Sequence, residues 1–447
     1  MRFGCAILFT ALAYAAQALA KSSTGDSVLV VLQPSLKKED YSLFFGNLEK
    51  EGYELTFRAP TETEPQLVQD GVPTFDHVIF FAPDTKSFAP DITPQSVVSL
   101  LSQGVNILIA LSPKQTPLYT LASEFGLILP PPNTPLISHF PKRNEPSDII
   151  PIAVPPSPLF SNKKANLVWF SGVPHALSNS PLLVPVLRAP AESFATDTES
   201  DAGADAILEA TERGGEGLWA GSQLGVVTGF QTKRNTRVMW AGGVELFSDA
   251  FAKKEVAAGV KSGNEDLARD IAAWTFQETM VLRLDSTTHH LINETAPREH
   301  YTINEQITFE AHVSQFDPER GIWVPKTDLH DLQLDFTMLD PHIRTALPHV
   351  AAEPGTYSVT FRAPDRHGVF KFVIDHKRTG YTFLESSTTV PVVPPRHDGY
   401  PRFLSAAWPY YAGAISTSVG FVLFSALWLA GDDRTMMRKG KGAPKTE

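Results

Sequence analysis

The sequence predicts a two-part, sheet-rich protein held by one C-terminal transmembrane helix. A luminal Rossmann- or flavodoxin-like α/β region is expected over residues 27–280, a luminal immunoglobulin-like β-sandwich over 281–395, and the helix with its membrane-proximal segment over 403–431. Three observations carry this. Buried-strand runs alternate with helical patterns from Ser27 to Leu111; after Arg283 the apolar period changes from about 3.6 to about 2; and Phe403–Gly431 contains no charged residue.

Residues 1–20 come first. Arg2, the apolar run Ala6-Ile-Leu-Phe9 and the small-x-small ending Ala18-Leu-Ala20 predict a signal peptide, so the mature chain enters the secretory pathway. Val28–Leu32 is a continuous apolar run of buried-strand type, and Tyr41, Phe44, Phe45 and Leu48 follow at helical spacing up to Gly52. Tyr53–Phe57 and His77–Phe81 are further strands. Thr93-Pro94 supplies an N-cap and a first-turn proline for a helix carrying Val97, Val98, Leu100 and Leu101, which Gly104 ends before a strand at Val105–Leu111. Such alternation implies a parallel sheet covered on both faces.

Proline is frequent from Pro130 to Pro190, which predicts irregular loops and short edge strands. Residues 192–216 form an acidic, Ala- and Gly-rich loop. Strands at Gly225–Phe230 and Arg237–Trp240 and a helix bearing Leu267, Ile271 and Trp274 follow, either as a second α/β lobe or as a continuation of the first. In the sandwich, Ile307, Phe309, Ala311 and Val313 alternate with polar residues, as do Leu332, Leu334, Phe336 and Met338, and Tyr357, Val359 and Phe361. Pro354-Gly355 and Pro364–Gly368 supply turns.

The apolar segment 403–431 exceeds the roughly 20 residues that cross a bilayer as a helix. Arg434, Arg438, Lys439, Lys441 and Lys445 follow it, so the positive-inside bias places the tail, 432–447, in the cytosol. A type I topology results. Trp408, Tyr410 and Tyr411 mark one interface and Trp428 the other. Gly413, Ser416, Thr417 and Gly420 recur at three and four residues, a small-residue stripe that lets a partner helix approach closely.

Composition narrows the function classes. The formal charge of −11 disfavours nucleic acid as a partner, and the single cysteine, Cys5, lies in the predicted signal peptide, leaving no thiol for a disulfide, metal or nucleophile. The first strand-to-helix turn, Gln33-Pro-Ser-Leu36, has no glycine for a dinucleotide cradle, and Gly214-Gly-Glu-Gly217 lacks the strand-before-helix context. No cofactor is expected. Neither an Asp-x-Asp pair, a His-Glu-x-x-His helix nor a Gly-x-Ser-x-Gly elbow occurs, so no catalytic residue is assigned. His289 and His290, adjacent on a strand, point to opposite faces and chelate poorly, so no metal site is expected. Asp328, His330, Asp331 and Asp335 read as a solvated strand face and its approach loop. Arg234 and Arg237 are expected to pair with carboxylates. Asn293-Glu-Thr295 is a complete glycosylation sequon.

An ordered series of motifs gathers these observations. It comprises Gly229-Phe-Gln-Thr-Lys-Arg-Asn-Thr-Arg-Val238 with Leu246-Phe-Ser-Asp249, His289-His290 with Glu294-Thr-Ala-Pro297, Trp323-Val-Pro325, Asp340-Pro341 with Arg344-Thr345, Gly368–Phe372, Arg378-Thr-Gly-Tyr381 and Trp408-Pro-Tyr-Tyr411. Through them, residues 224–430 resemble the family of non-catalytic 48-kDa subunits of oligosaccharyltransferase, the wheat-germ-agglutinin-binding-protein type of fungi; residues 27–190 match more loosely. The resemblance implies a place in the endoplasmic-reticulum complex that transfers oligosaccharide from dolichyl diphosphate to asparagine in Asn-x-Ser/Thr sequons. It implies three partners: the catalytic multi-spanning subunit, a ribophorin II-like (Swp) subunit and a small Dad-like membrane subunit. The catalytic subunit's Trp-Trp-Asp-Tyr-Gly signature is absent here, so the implied role is assembly or substrate recruitment. The acidic loop departs from the family pattern, and of a dilysine tail signal only Lys445 is in register, which favours retention through assembly. On the residues alone, a luminal α/β hydrolase or amidotransferase-like enzyme and a stand-alone type I glycan or cargo receptor stay open.

Overall fold

The computed structural model describes residues 21–161, 167–195, 219–257, 259–396, 398 and 402–439. The predicted signal peptide and most of the acidic loop lie outside the described residues. Seven strands form the central sheet: β1 (Ser27–Leu32), β2 (Glu54–Arg58), β3 (His77–Phe81), β4 (Asn106–Ala110), β5 (Leu183–Arg188), β6 (Gly225–Gln231) and β7 (Arg237–Ala241). Their order is β5-β6-β7-β4-β3-β1-β2. The five strands from β7 to β2 run parallel; β6 is antiparallel to β7, and β5, antiparallel to β6, runs again with the five. The strands after the proline-rich stretch therefore continue the first sheet and do not build a second lobe.

The apolar runs follow from this burial. Val28 and Val30 face one core with Phe81 and Met239, while Leu29 and Val31 face another with Phe80 and Trp240. Helices α1 (Ser42–Lys50) and α4 (Asn264–Thr275) cover the first face; α2 (Pro94–Ser102) and α3 (Pro117–Glu124) cover the second. A reciprocal capping box starts α2: Ser96 N donates to Thr93 Oγ1 at 3.1 Å and Thr93 N to Ser96 Oγ at 2.8 Å. Gly104 follows at φ +100°, a conformation that side chains other than glycine's rarely adopt.

The second region is two facing sheets. In one, β10 (Gln306–Asp317) pairs with β8 (Leu282–Leu291) along one edge and with β14 (Thr356–Arg362) and β11 (Ile322–Pro325) along the other. The other has the order β9-β16-β15-β12-β13, from Tyr301–Thr302, Leu384–Val393, Gly368–His376, Gln333–Thr337 and Pro341–Ala346. Ile307, Phe309, Ala311 and Val313 meet Leu334, Phe336, Phe370 and Phe372 between them, with the Phe336 and Phe370 rings stacked at 4.7 Å.

Strand direction sorts the ends of this region. Leu282, His376 and Leu384 share the end that joins the first region. Leu291, Gly368 and Val393 share the opposite end: Ile292 N donates to Gln306 O, Ile303 N donates to Val393 O, and Gly368 pairs with Val392. From there the chain runs to α5 (Trp408–Lys439), whose helical backbone continues past Gly431 into the basic tail.

Candidate functional site

A ligand of a parallel sheet approaches the carboxyl ends of the strands where neighbouring connections diverge, here between β1 and β3. Gln33 bridges the two connections there. It is buried, accepts from Asp84 N at 3.0 Å and donates to Ser35 Oγ. Burial works against the charge on Asp84, but hydrogen bonds from Lys114 and Ser112 hold its carboxyl below the usual range. Side chains from three connections are thus tied to one another across the crevice.

Sequence reading missed a serine–histidine contact at the other end of the strands. Ser22 Oγ lies 3.3 Å from His77 Nε2, and Asn106 Nδ2 lies 3.4 Å from His77 Nδ1. The pair is structural. Ser22 donates its proton to Phe276 O at 2.6 Å, and the His77 ring is stacked on Phe276 and wholly buried, which pushes its pKa down to about 4. A general base works best near the operating pH and must reach substrate; this one does neither. Among the described residues, no group of three or more His, Cys, Asp or Glu side chains is placed to hold a metal ion.

A polar network joins the two regions. Arg237, on β7, is completely buried and donates to Trp274 O (2.7 Å), Thr279 O (2.9 Å), Met280 O (2.9 Å) and Gly380 O (3.2 Å), with its guanidinium over the Trp274 ring. This corrects the expected carboxylate pairing. Trp274 O lies in the last turn of α4, at the negative end of the helix dipole, and takes the arginine beside a bond from Gln277 N, while Thr279 O and Met280 O follow just after the helix. Burial pushes Arg237 down to about 9, leaving it charged near neutrality. Arg234 likewise donates to a carbonyl, that of Ser102, at 3.1 Å.

Neighbouring contacts extend the clamp. Trp274 Nε1 donates to Gly380 O at 2.8 Å, Gln231 Nε2 to Tyr381 O at 2.8 Å, and Asn235 both donates to Phe383 O and accepts from Phe383 N. A Cβ on Gly229 would lie 2.7 Å from the Trp274 ring. Two motif blocks far apart in sequence, Gly229–Val238 and Arg378–Tyr381, are thus the two halves of one joint.

The other singled-out residues have local partners. His289 stacks on Phe372 and meets Tyr301 Oη at 2.9 Å, whereas His290 faces the other way, 3.8 Å from Glu310. Asp328 pairs with Lys326, Asp331 with His376 and Arg378, and Asp335 bidentately with Arg344. Asn293 is exposed in a turn just after β8.

The 26-residue helical stretch Ser405–Ala430, which runs from the turn before α5 into α5, is long and apolar enough to cross a membrane, and its most apolar part is not buried against the rest of the chain. Ser416 and Thr417 turn their hydroxyls back onto Gly413 O at 2.9 and 2.8 Å. Gly413 and Gly420 have open space beside them. The stripe is outward-facing, small and internally satisfied.

Fold and site together define a sheet-rich protein of two clamped regions with one helix, among the described residues, able to cross a membrane. The chain belongs to the OST48 family: the family's N-terminal domain matches residues 19–278 and its middle domain residues 289–432. It is 32% identical over 421 residues to the dolichyl-diphosphooligosaccharide–protein glycosyltransferase 48 kDa subunit of Danio rerio, covering 91% of each chain. The subunit of that name in Caenorhabditis elegans is 31% identical, over 91% of this chain and 92% of that one. Among solved structures, the mmIFT52 N-terminal domain aligns with 56% of this chain and 96% of that one at 12% identity and a TM-score of 0.40, too low to bear on the assignment.

Proposed function

We propose that this chain is an accessory, non-catalytic subunit of the oligosaccharyltransferase complex, which transfers oligosaccharide from dolichyl diphosphate to asparagine in the endoplasmic reticulum. The observation that carries this is similarity along nine-tenths of the chain to proteins named as the 48 kDa subunit of that transferase. The parallel strand order supports a flavodoxin-like first domain over 27–280, and the two facing sheets support an immunoglobulin-like second domain over 281–395. Both are luminal, α5 is a single type I anchor, and its basic end is cytosolic.

The subunit acts by assembly. Gly413, Ser416, Thr417 and Gly420 pack against a neighbouring membrane helix, the partners being the multi-spanning catalytic subunit and the Swp-like and Dad-like subunits. Asn293 is itself glycosylated, which its exposure in a turn supports. Purified alone, the chain should leave lipid-linked oligosaccharide and acceptor peptide unchanged; transfer by the isolated chain would instead favour the enzyme reading.

A further inference from the structure

The end of the second region from which the chain leaves for α5 carries exposed apolar side chains that the clamp and the core do not use. Leu339 is 93% exposed at the tip of the turn between β12 and β13. Val369 is 57% exposed. Pairing register puts them together: Thr337 lies opposite Lys371, so the chain beyond it reaches the level of Val369, and Val369 pairs with Pro391, two residues before β16 ends. Contact confirms the placement, since a Cβ on Gly368 would lie 2.7 Å from Met338 Sδ.

A single exposed leucine needs no explanation, but several at one end of a domain mark a contact surface. Here the position says what covers it. From Val393 to Phe403 the chain is ten residues long, and an extended chain spans at most about 3.6 Å per residue, so this end stays within roughly 36 Å of the first apolar residue of the membrane segment. Phe403 and Leu404 are themselves exposed, and Phe403 stacks on Tyr411 at 4.9 Å, which carries the apolar surface back from the helix toward the linker.

We propose that the Met338–Asp340 turn, with Val369 beside it, rests on the bilayer on the side where α5 enters, giving the second region a second membrane contact. The first region, joined at the opposite end, is then held away from the membrane. The inference rests on α5 being the anchor, and the test separates the two.

The full chain, with Cys5→Ser, is reconstituted into neutral phosphatidylcholine nanodiscs carrying one cysteine-linked environment-sensitive fluorophore. It is placed at Leu339→Cys, at Ile322→Cys on the opposite end, or at Phe424→Cys within α5. Brominated lipid should quench the probes at 339 and 424 severalfold more than the probe at 322, and aqueous iodide should show the reverse order. Quenching by lipid at 424 but not at 339 overturns the second contact and leaves the anchor standing. Absence of lipid quenching at both positions overturns both.

Discussion

Arg237 in the core of the first region donates to the backbone carbonyl of Gly380 in the second, at 3.2 Å, while the same guanidinium caps the end of α4. One buried cation thereby satisfies carbonyls from three segments of chain. Trp274 O, Met280 O and Gly380 O also accept from Gln277 N, Thr382 N and Trp274 Nε1, so its removal bears most on Thr279 O, and a buried carbonyl without a donor costs about 1–3 kcal/mol.

Arg237→Met keeps the volume and removes the donors. The expected loss is about 1–3 kcal/mol of unfolding free energy, since Thr279 O loses this donor while Trp274 O, Met280 O and Gly380 O each keep one. Denaturant unfolding followed by fluorescence should show a lower midpoint and a first transition in which the two regions separate. A single unshifted transition would remove Arg237 from the joint.

Gly229→Ala places a methyl 2.7 Å from the Trp274 ring, which the indole bond to Gly380 and the Arg237 guanidinium hold in place. Overpacking of this kind costs about 1–3 kcal/mol. Gly46→Ala, on α1 with nothing within 4 Å, is the matched control and should be neutral or slightly stabilising. Equal melting temperatures for the two variants would contradict the tight fit.

The joint also shows where sequence reading stops. His77–Phe81 is legible as a buried strand because helices cover both faces and every residue is apolar or shielded. The alternation at Ile307–Val313 is legible because only one face of β10 meets the core. Helix α3 escapes the periodic signal: it is eight residues long and starts at Pro117 near a proline-rich stretch. Arg237 was open to misreading because a sequence displays charges but not the carbonyls that fold around them, and those it serves lie 37 to 143 positions away. Ser22 and His77, 55 positions apart, meet only once the strands are ordered.

Glu278, beside the joint, gives a pH signature. Burial pushes its carboxyl up to about 7 against the pull of the Tyr53 hydroxyl, which donates to it at 2.6 Å. The folded protein then holds a proton that the unfolded chain has released, so this stabilisation is complete below about 4.5 and lost as pH rises through 7. Glu278→Gln should flatten the stability profile between those values and raise stability at pH 8 by on the order of 1–3 kcal/mol. The wholly buried His77 slopes the other way, losing stabilisation as pH falls from 6.5 toward 4, so the informative quantity is the difference between variant and parent. Parallel profiles would show that Glu278 is not protonated in the fold.

Asn293→Gln should remove one glycan's mass from the chain made in cells, with glycosidase treatment no longer shifting its mobility. Folding should be unchanged, because Asn293 is exposed and outside the strand ladder. Identical mobility of variant and parent would show that the sequon is unused.

Purification of the tagged full chain in mild detergent, with oligosaccharide transfer assayed on the eluate, tests the central claim most directly. The account predicts that a multi-spanning transferase and its activity co-elute with the chain, and that both fall at least severalfold when Gly413 and Gly420 are replaced by leucine while the luminal regions stay folded. A chain that elutes alone, without transfer activity, would contradict it.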